Sequence, residues 1–146
     1  MEYPSYSFNQ TPDATQFFFE SIGPKGLIQK VVIFSLISTP AIYNLALGDV
    51  KSGTAEIDDQ SVSDNGDMPL ILATIFQITH QFLSDHPAST VLFRGNSPSR
   101  NRLYRMAINR AREELLNYFI MFGYYSDSWE GFQSNRPYES FLIRKK

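Results

Sequence analysis

Three features of this sequence predict an α+β fold: a mostly antiparallel, twisted sheet, opening with an N-terminal β-meander, with two main helices packed on it. The first third runs in short apolar segments broken by turn-forming clusters. Two later segments repeat their apolar residues at helical spacing, and each opens on a capping residue with proline in the first turn. Further short apolar runs lie between and after these helices, which places the helices against a mostly antiparallel sheet.

The strands follow in order. Residues 6–8 form a short strand, and residues 15–22, rich in Phe, a longer one. Gly23-Pro24-Lys25-Gly26 is a tight-turn signal that folds residues 27–37 back as a hairpin. In that strand Val31, Ile33 and Ile37 lie on one pleat face and Val32, Phe34 and Leu36 on the other, the pattern of a central strand covered on both sides. After Ser38-Thr39-Pro40, residues 42–50 alternate Tyr43, Leu45 and Leu47 with Asn44, Ala46 and Gly48. Residues 51–67 are polar and acidic, with a short edge strand expected within 56–63.

Asp67 reads as the N-cap of a first helix, with Pro69 in its first turn and Leu72, Ile75, Phe76, Thr79, Phe82 and Leu83 on one face. Asp85-His86-Pro87 ends it. Residues 90–94 form a compact strand. Ser97-Pro98 then opens a second helix that runs to about Asn117, with Leu103, Tyr104, Ala107, Ala111 and Leu115 inward. Residues 119–125 return as a strand, residues 127–131 turn the chain, and residues 138–145 make the last strand. No repeat or linker interrupts this order, so residues 1–146 are expected to form one domain.

Composition excludes several function classes. Of 146 residues, 42% are hydrophobic and 19% charged, which is globular rather than disordered. Aromatic residues make up 14%, with 12 Phe, 8 Tyr and Trp129, enough for an aromatic sheet core or a ring-bearing partner surface. The net charge of -2 argues against a general nucleic-acid binder. With no cysteine there is no disulfide, thiol nucleophile or thiolate metal site. The N-terminal residues lack a signal-peptide pattern and no apolar stretch approaches membrane-spanning length, so a cytoplasmic location without membrane contact is expected.

The leading candidate site is the strand-to-helix corner formed by Arg94, Asn96, Ser97, Ser99, Arg100 and Arg102. A helix N-terminus presents unpaired amides and partial positive charge, and guanidinium groups add bidentate contacts to phosphate or carboxylate. The competing reading is local: Ser97 caps its own helix and the arginines pair with acidic residues of the 56–67 loop. The segment has one Gly and lacks the Gly-Lys-Ser/Thr ending of a phosphate loop. Farther along, Arg102, Arg105 and Arg112 fall roughly on one helical face with Asn109, a stripe that either contacts acidic partners or is simply solvated.

Trp129, Phe132, Arg136 and Tyr138 form a second candidate set, as anchors of a protein interface or as rings folded over a sheet edge. The acidic residues Glu56, Asp58, Asp59, Asp64 and Asp67 match no EF-hand spacing and read as a solvated loop, so no metal site is expected. His80 and His86 lack a positioned nucleophile or a metal-ligand partner spacing. No catalytic residue and no cofactor are expected.

Several blocks carry a resemblance that spans nearly the whole chain. They are Phe19–Gly26, Tyr43-Asn44-Leu45-Ala46 with Gly48-Asp49, Ile57-Asp58-Asp59 with Asn65-Gly66-Asp67, Ser97–Tyr104, and Tyr138-Glu139-Ser140-Phe141. On these the sequence resembles a family of small bacterial single-domain proteins of uncharacterised function. The resemblance implies the extent of the domain and supplies no activity or catalytic residue.

Three functional readings follow. The first is a non-enzymatic binding or assembly module of the bacterial cytosol, a homodimer or the partner of another protein. The second is a small enzyme or sensor that binds a phosphorylated or otherwise anionic ligand at the Arg94–Arg102 corner. The third, disfavoured by the net charge, is nucleic-acid binding through the arginine-rich second helix.

Overall fold

The architecture comes from a computed structural model that describes residues 4–39, 41–50, 57–58, 65–95 and 97–146. Among the described residues there are nine strands and three helices. The strands are β1 (Asn9–Gln10), β2 (Gln16–Gly23), β3 (Gly26–Ser38), β4 (Ile42–Val50), β5 (Ile57–Asp58), β6 (Thr90–Phe93), β7 (Phe119–Tyr125), β8 (Ser128–Gly131) and β9 (Phe141–Lys145). The helices are α1 (Met68–Asp85), α2 (Pro98–Arg110) and α3 (Arg112–Tyr118). Strand order is β1-β2-β3-β4-β6-β9-β7-β8 with β5 against β4, and β4 with β6 is a parallel pair in an otherwise antiparallel set of described pairings. The fold is α+β.

The chain divides into two compact units, Met1–Ser35 with Ala46–Phe82, and Leu36–Leu45 with Leu83–Lys146. In the first, β2 and β3 form a hairpin in the register Gly23↔Gly26. Gly26 has φ +90°, a conformation glycine adopts without cost. Gly23 is required for another reason, since a Cβ there would lie 1.9 Å from the Asn65 carbonyl oxygen. Buried Asn65 stitches the turn: its Nδ2 donates to the Gly26 carbonyl (2.9 Å) and to Ser21 Oγ (3.2 Å), and its Oδ1 accepts from the Lys25 amide (2.8 Å).

Period-two alternation puts Phe17, Phe19, Lys30, Val32 and Phe34 on one face of this hairpin. Phe34 stacks on Phe82 of α1 with ring centroids 3.9 Å apart, and Ile71, Ile75 and Ile78 of α1 are buried. Within this apolar layer Lys30 is fully buried, and its Nζ meets Asp49 Oδ1 at 2.5 Å. The Asp67 carboxylate accepts Oη–H from Tyr6 and Oγ–H from Ser21, each at 2.6 Å, while its Oδ1 is buried without a hydrogen bond. Asp67 therefore ties strand to loop instead of giving its side chain to the amides of α1.

In the second unit the first residues of β4 pair with β6 in parallel, from Ile42↔Thr90 to Leu45↔Phe93, and β9 joins β6 to β7. Val91, Phe93, Phe119, Met121, Phe141 and Ile143 make the buried face. On the other face Leu92, Ile120, Phe122 and Leu142 are half-buried, and Tyr124 and Trp129 are exposed. The expected long second helix is two helices, because at Ala111 the backbone departs from helical geometry (φ -95°, ψ 10°). The turn expected over residues 127–131 is shorter: Ser126 and Asp127 take positive φ (52° and 62°), which closes a two-residue hairpin and makes Ser128–Gly131 a strand. The last strand starts at Phe141, and Tyr138 precedes it as a buried core residue.

An arginine-lined candidate binding site on α2

The corner at the start of α2 forms as its sequence requires, and its Gly95, Arg100 and Asn101 amides are bonded locally. Ser97 is extended (φ -154°, ψ 158°) and its Oγ accepts the Arg100 amide at 3.2 Å, with Pro98 at the first helical position. The Asn101 amide donates to the Ser97 carbonyl at 3.0 Å, and Asn101 Oδ1 accepts the Gly95 amide at 2.7 Å. A Cβ on Gly95 would meet the Asn101 amide nitrogen at 2.8 Å, so the loop lies tight against the first turn. Asn96 lies outside the described residues. Arg94 and Ser99 are exposed, and Arg100 hydrogen-bonds buried Tyr104. Burial pushes the Tyr104 phenol above its ordinary value of 10.0, and the Arg100 charge and hydrogen bond oppose that shift. Of the six residues read from the sequence, Ser97 acts as a cap, Arg100 is tied to a ring, and Arg102 faces outward.

Arg102 belongs to a different constellation. Arg102, Arg105, Met106 and Asn109 follow helical spacing along one stripe of α2 and line a cleft of about 280 Å³ together with Asn135, Arg136 and Pro137. Three guanidinium groups border it, and among the described residues no carboxylate lines it. Arg105 spends one N–H on the Tyr138 carbonyl (3.1 Å). Arg136 is fixed from behind: its Nε contacts Glu130 Oε2 at 3.1 Å and Gln133 Oε1 at 3.2 Å, and its guanidinium lies 4.6 Å from the Tyr125 ring centroid. Arg102 is exposed and makes no ion pair or hydrogen bond among the described residues. Asn109 keeps its Oδ1 buried and without a donor beside the cleft.

The strap over residues 132–138 is built around Tyr138. That side chain is fully buried, its Oη–H donates to Glu130 Oε2 at 2.6 Å, and its oxygen accepts the Gln133 amide at 3.2 Å. Burial, and then the Glu130 hydrogen bond, raise the Tyr138 phenol above its ordinary value of 10.0. Gly123 makes room for the ring, since a Cβ there would sit 2.4 Å from it. Asn135 turns the strap with φ 67°, a left-handed conformation that Asn tolerates.

The C-terminal set read from the sequence is thus divided. Phe132, Arg136 and Tyr138 gather with Tyr125 and Phe141 around the strap, whereas Trp129 packs edge-on against Tyr124 on the opposite pleat face. Tyr138, read as an interface anchor, offers no surface to a partner because it is 0% exposed. One member of each predicted set, Arg102 and Arg136, meets in the cleft, and Arg112 lies on α3, outside its lining. The Arg102, Arg105 and Asn109 stripe was visible in the helical spacing. Asn135 and Pro137 carried no signal, because only the Tyr138 strap brings them to α2.

A second, larger groove of about 550 Å³ adjoins the first, lined by Pro98, Ser99, Arg102, Leu103 and Met106. Among the described residues no group of His, Cys, Asp or Glu side chains is arranged to hold a metal ion, and no helix is long and apolar enough to cross a membrane.

Comparison with curated proteins and with solved structures gives no match. The model of one family, described as a family of unknown function (DUF6934), matches residues 2–146, and the chain therefore belongs to that family.

Proposed function

We propose that the protein is a non-enzymatic binding module whose ligand presents a carboxylate or phosphate group to the cleft of Arg102, Arg105 and Arg136. The observation that carries this reading is the meeting of three guanidinium groups, from a helix and from a separate strap, around a cleft with no carboxylate among its described lining residues, Arg136 reaching away from it to Glu130. Like charges are brought together only against their mutual repulsion, and an anion relieves it. Guanidinium suits that role because it stays charged and forms paired, planar hydrogen bonds with carboxylate and phosphate oxygens. The lining side chains are Arg, Asn, Met and Pro, none of which exchanges a proton near neutral pH, so the cleft is equipped to hold an anion and not to transform it.

Isothermal titration with inorganic pyrophosphate and with citrate tests this. Saturable binding is expected, weakened roughly 10- to 100-fold by Arg102→Ala or Arg136→Ala, the loss of one charge-assisted contact. Arg112→Ala, outside the cleft, is expected to leave affinity unchanged. Absence of binding, or an equal loss in the Arg112 variant, contradicts the reading.

A further inference from the structure

The two grooves share Arg102 and Met106, which are four residues apart on α2 and form a ridge between them. A ridge flanked by two grooves is the surface into which a second helix packs. The basic cleft is large enough for one anionic group, whereas the adjoining groove is walled by the apolar side chains of Leu103 and Met106, 40% and 50% exposed. Met adapts its flexible side chain to irregular partner surfaces. Helix α2 also has four arginines, Arg100, Arg102, Arg105 and Arg110, and no acidic residue, in a chain whose net charge is -2.

Resting on the cleft proposed above, we infer that α2 is a docking surface for an acidic amphipathic helix of a partner protein. Its carboxylates meet Arg102, Arg105 and Arg136, and its apolar stripe seats on Leu103 and Met106. The charge on α2 selects an acidic occupant, and the apolar groove distinguishes such a helix from nucleic acid, whose phosphates gain nothing from Leu and Met. The 13 residues of α2 rise about 20 Å, which about 14 residues of a partner helix match.

The test uses the full chain and a fluorescein-labelled peptide of about 14 residues, with Leu at helical spacing and Glu elsewhere, followed by anisotropy at about 0.15 M salt. Saturable binding is expected, with pyrophosphate as a competitor. The variant Leu103→Ser, at a side chain 40% exposed that lines the apolar groove and not the cleft, is expected to weaken the peptide about tenfold and to leave pyrophosphate binding intact. Arg136→Ala is expected to weaken both.

If pyrophosphate binds and the peptide binds no better than an all-Glu peptide, the docking surface is overturned and the anion cleft survives. If neither probe binds, the cleft falls and the docking surface with it. Duplex DNA that outcompetes the peptide in an Arg102-dependent way assigns the face to nucleic acid. Self-association in sedimentation that Leu103→Ser abolishes assigns it to a second copy of the chain. Either result overturns the inference.

Discussion

The Ser97 hydroxyl accepts the Arg100 amide at 3.2 Å, and the Asn101 amide closes on the Ser97 carbonyl. Capping needs only a residue with an extended backbone and a short oxygen-bearing side chain, so Ser97-Pro98 was legible in the sequence. The fate of the neighbouring arginines was less so. Arg100 and Arg102 have the same side chain two positions apart, yet one hydrogen-bonds the Tyr104 phenol and the other faces solvent. That choice depends on which face of α2 the sheet covers. Because Ser97 serves its own helix, Ser97→Ala is expected to cost about 1 kcal/mol of stability and a few degrees in melting temperature. Pyrophosphate affinity is expected to change less than twofold. Thermal melts and titration of the variant check both.

The elements were legible where period and turn chemistry agreed. The β2–β3 hairpin follows from Gly23-Pro24-Lys25-Gly26, and residues 119–125 form a strand as expected. What period cannot show is register between distant strands, and register decides the polar residues of the core. Lys30 and Asp49 are 19 positions apart and read as ordinary strand residues until β3 and β4 place them 2.5 Å apart beneath apolar side chains. Removing either partner breaks this buried ion pair. Lys30→Met and Asp49→Leu are each expected to destabilise by about 3–5 kcal/mol, and the double variant by clearly less than either, because both charges leave together. Urea denaturation of the three variants measures this; a double variant as unstable as the sum of the singles contradicts it.

At the scale of the whole chain, the order of elements anticipated an α+β fold, whereas the aromatic content left a sheet core and a partner surface both open; the rings of Phe17, Phe34, Phe82, Phe93, Phe141 and Tyr138 are buried in the core, and Tyr124 and Trp129 are exposed. The candidate site was legible only in halves. Its helical half lay in the spacing of Arg102, Arg105 and Asn109; its other half depends on Tyr138 filling the space over Gly123 and holding the strap to Arg105 of α2, a contact made across 33 positions of sequence. The proposed site therefore lies along the α2 stripe and not at the helix start, where Ser97 has taken the Arg100 amide. The most direct measurement is an NMR titration of the arginine Nε–H resonances with pyrophosphate. Arg102, Arg105 and Arg136 are expected to shift together and saturate at one affinity. Shifts confined to Arg94 and Arg100, with the other three unmoved, would contradict the proposed site.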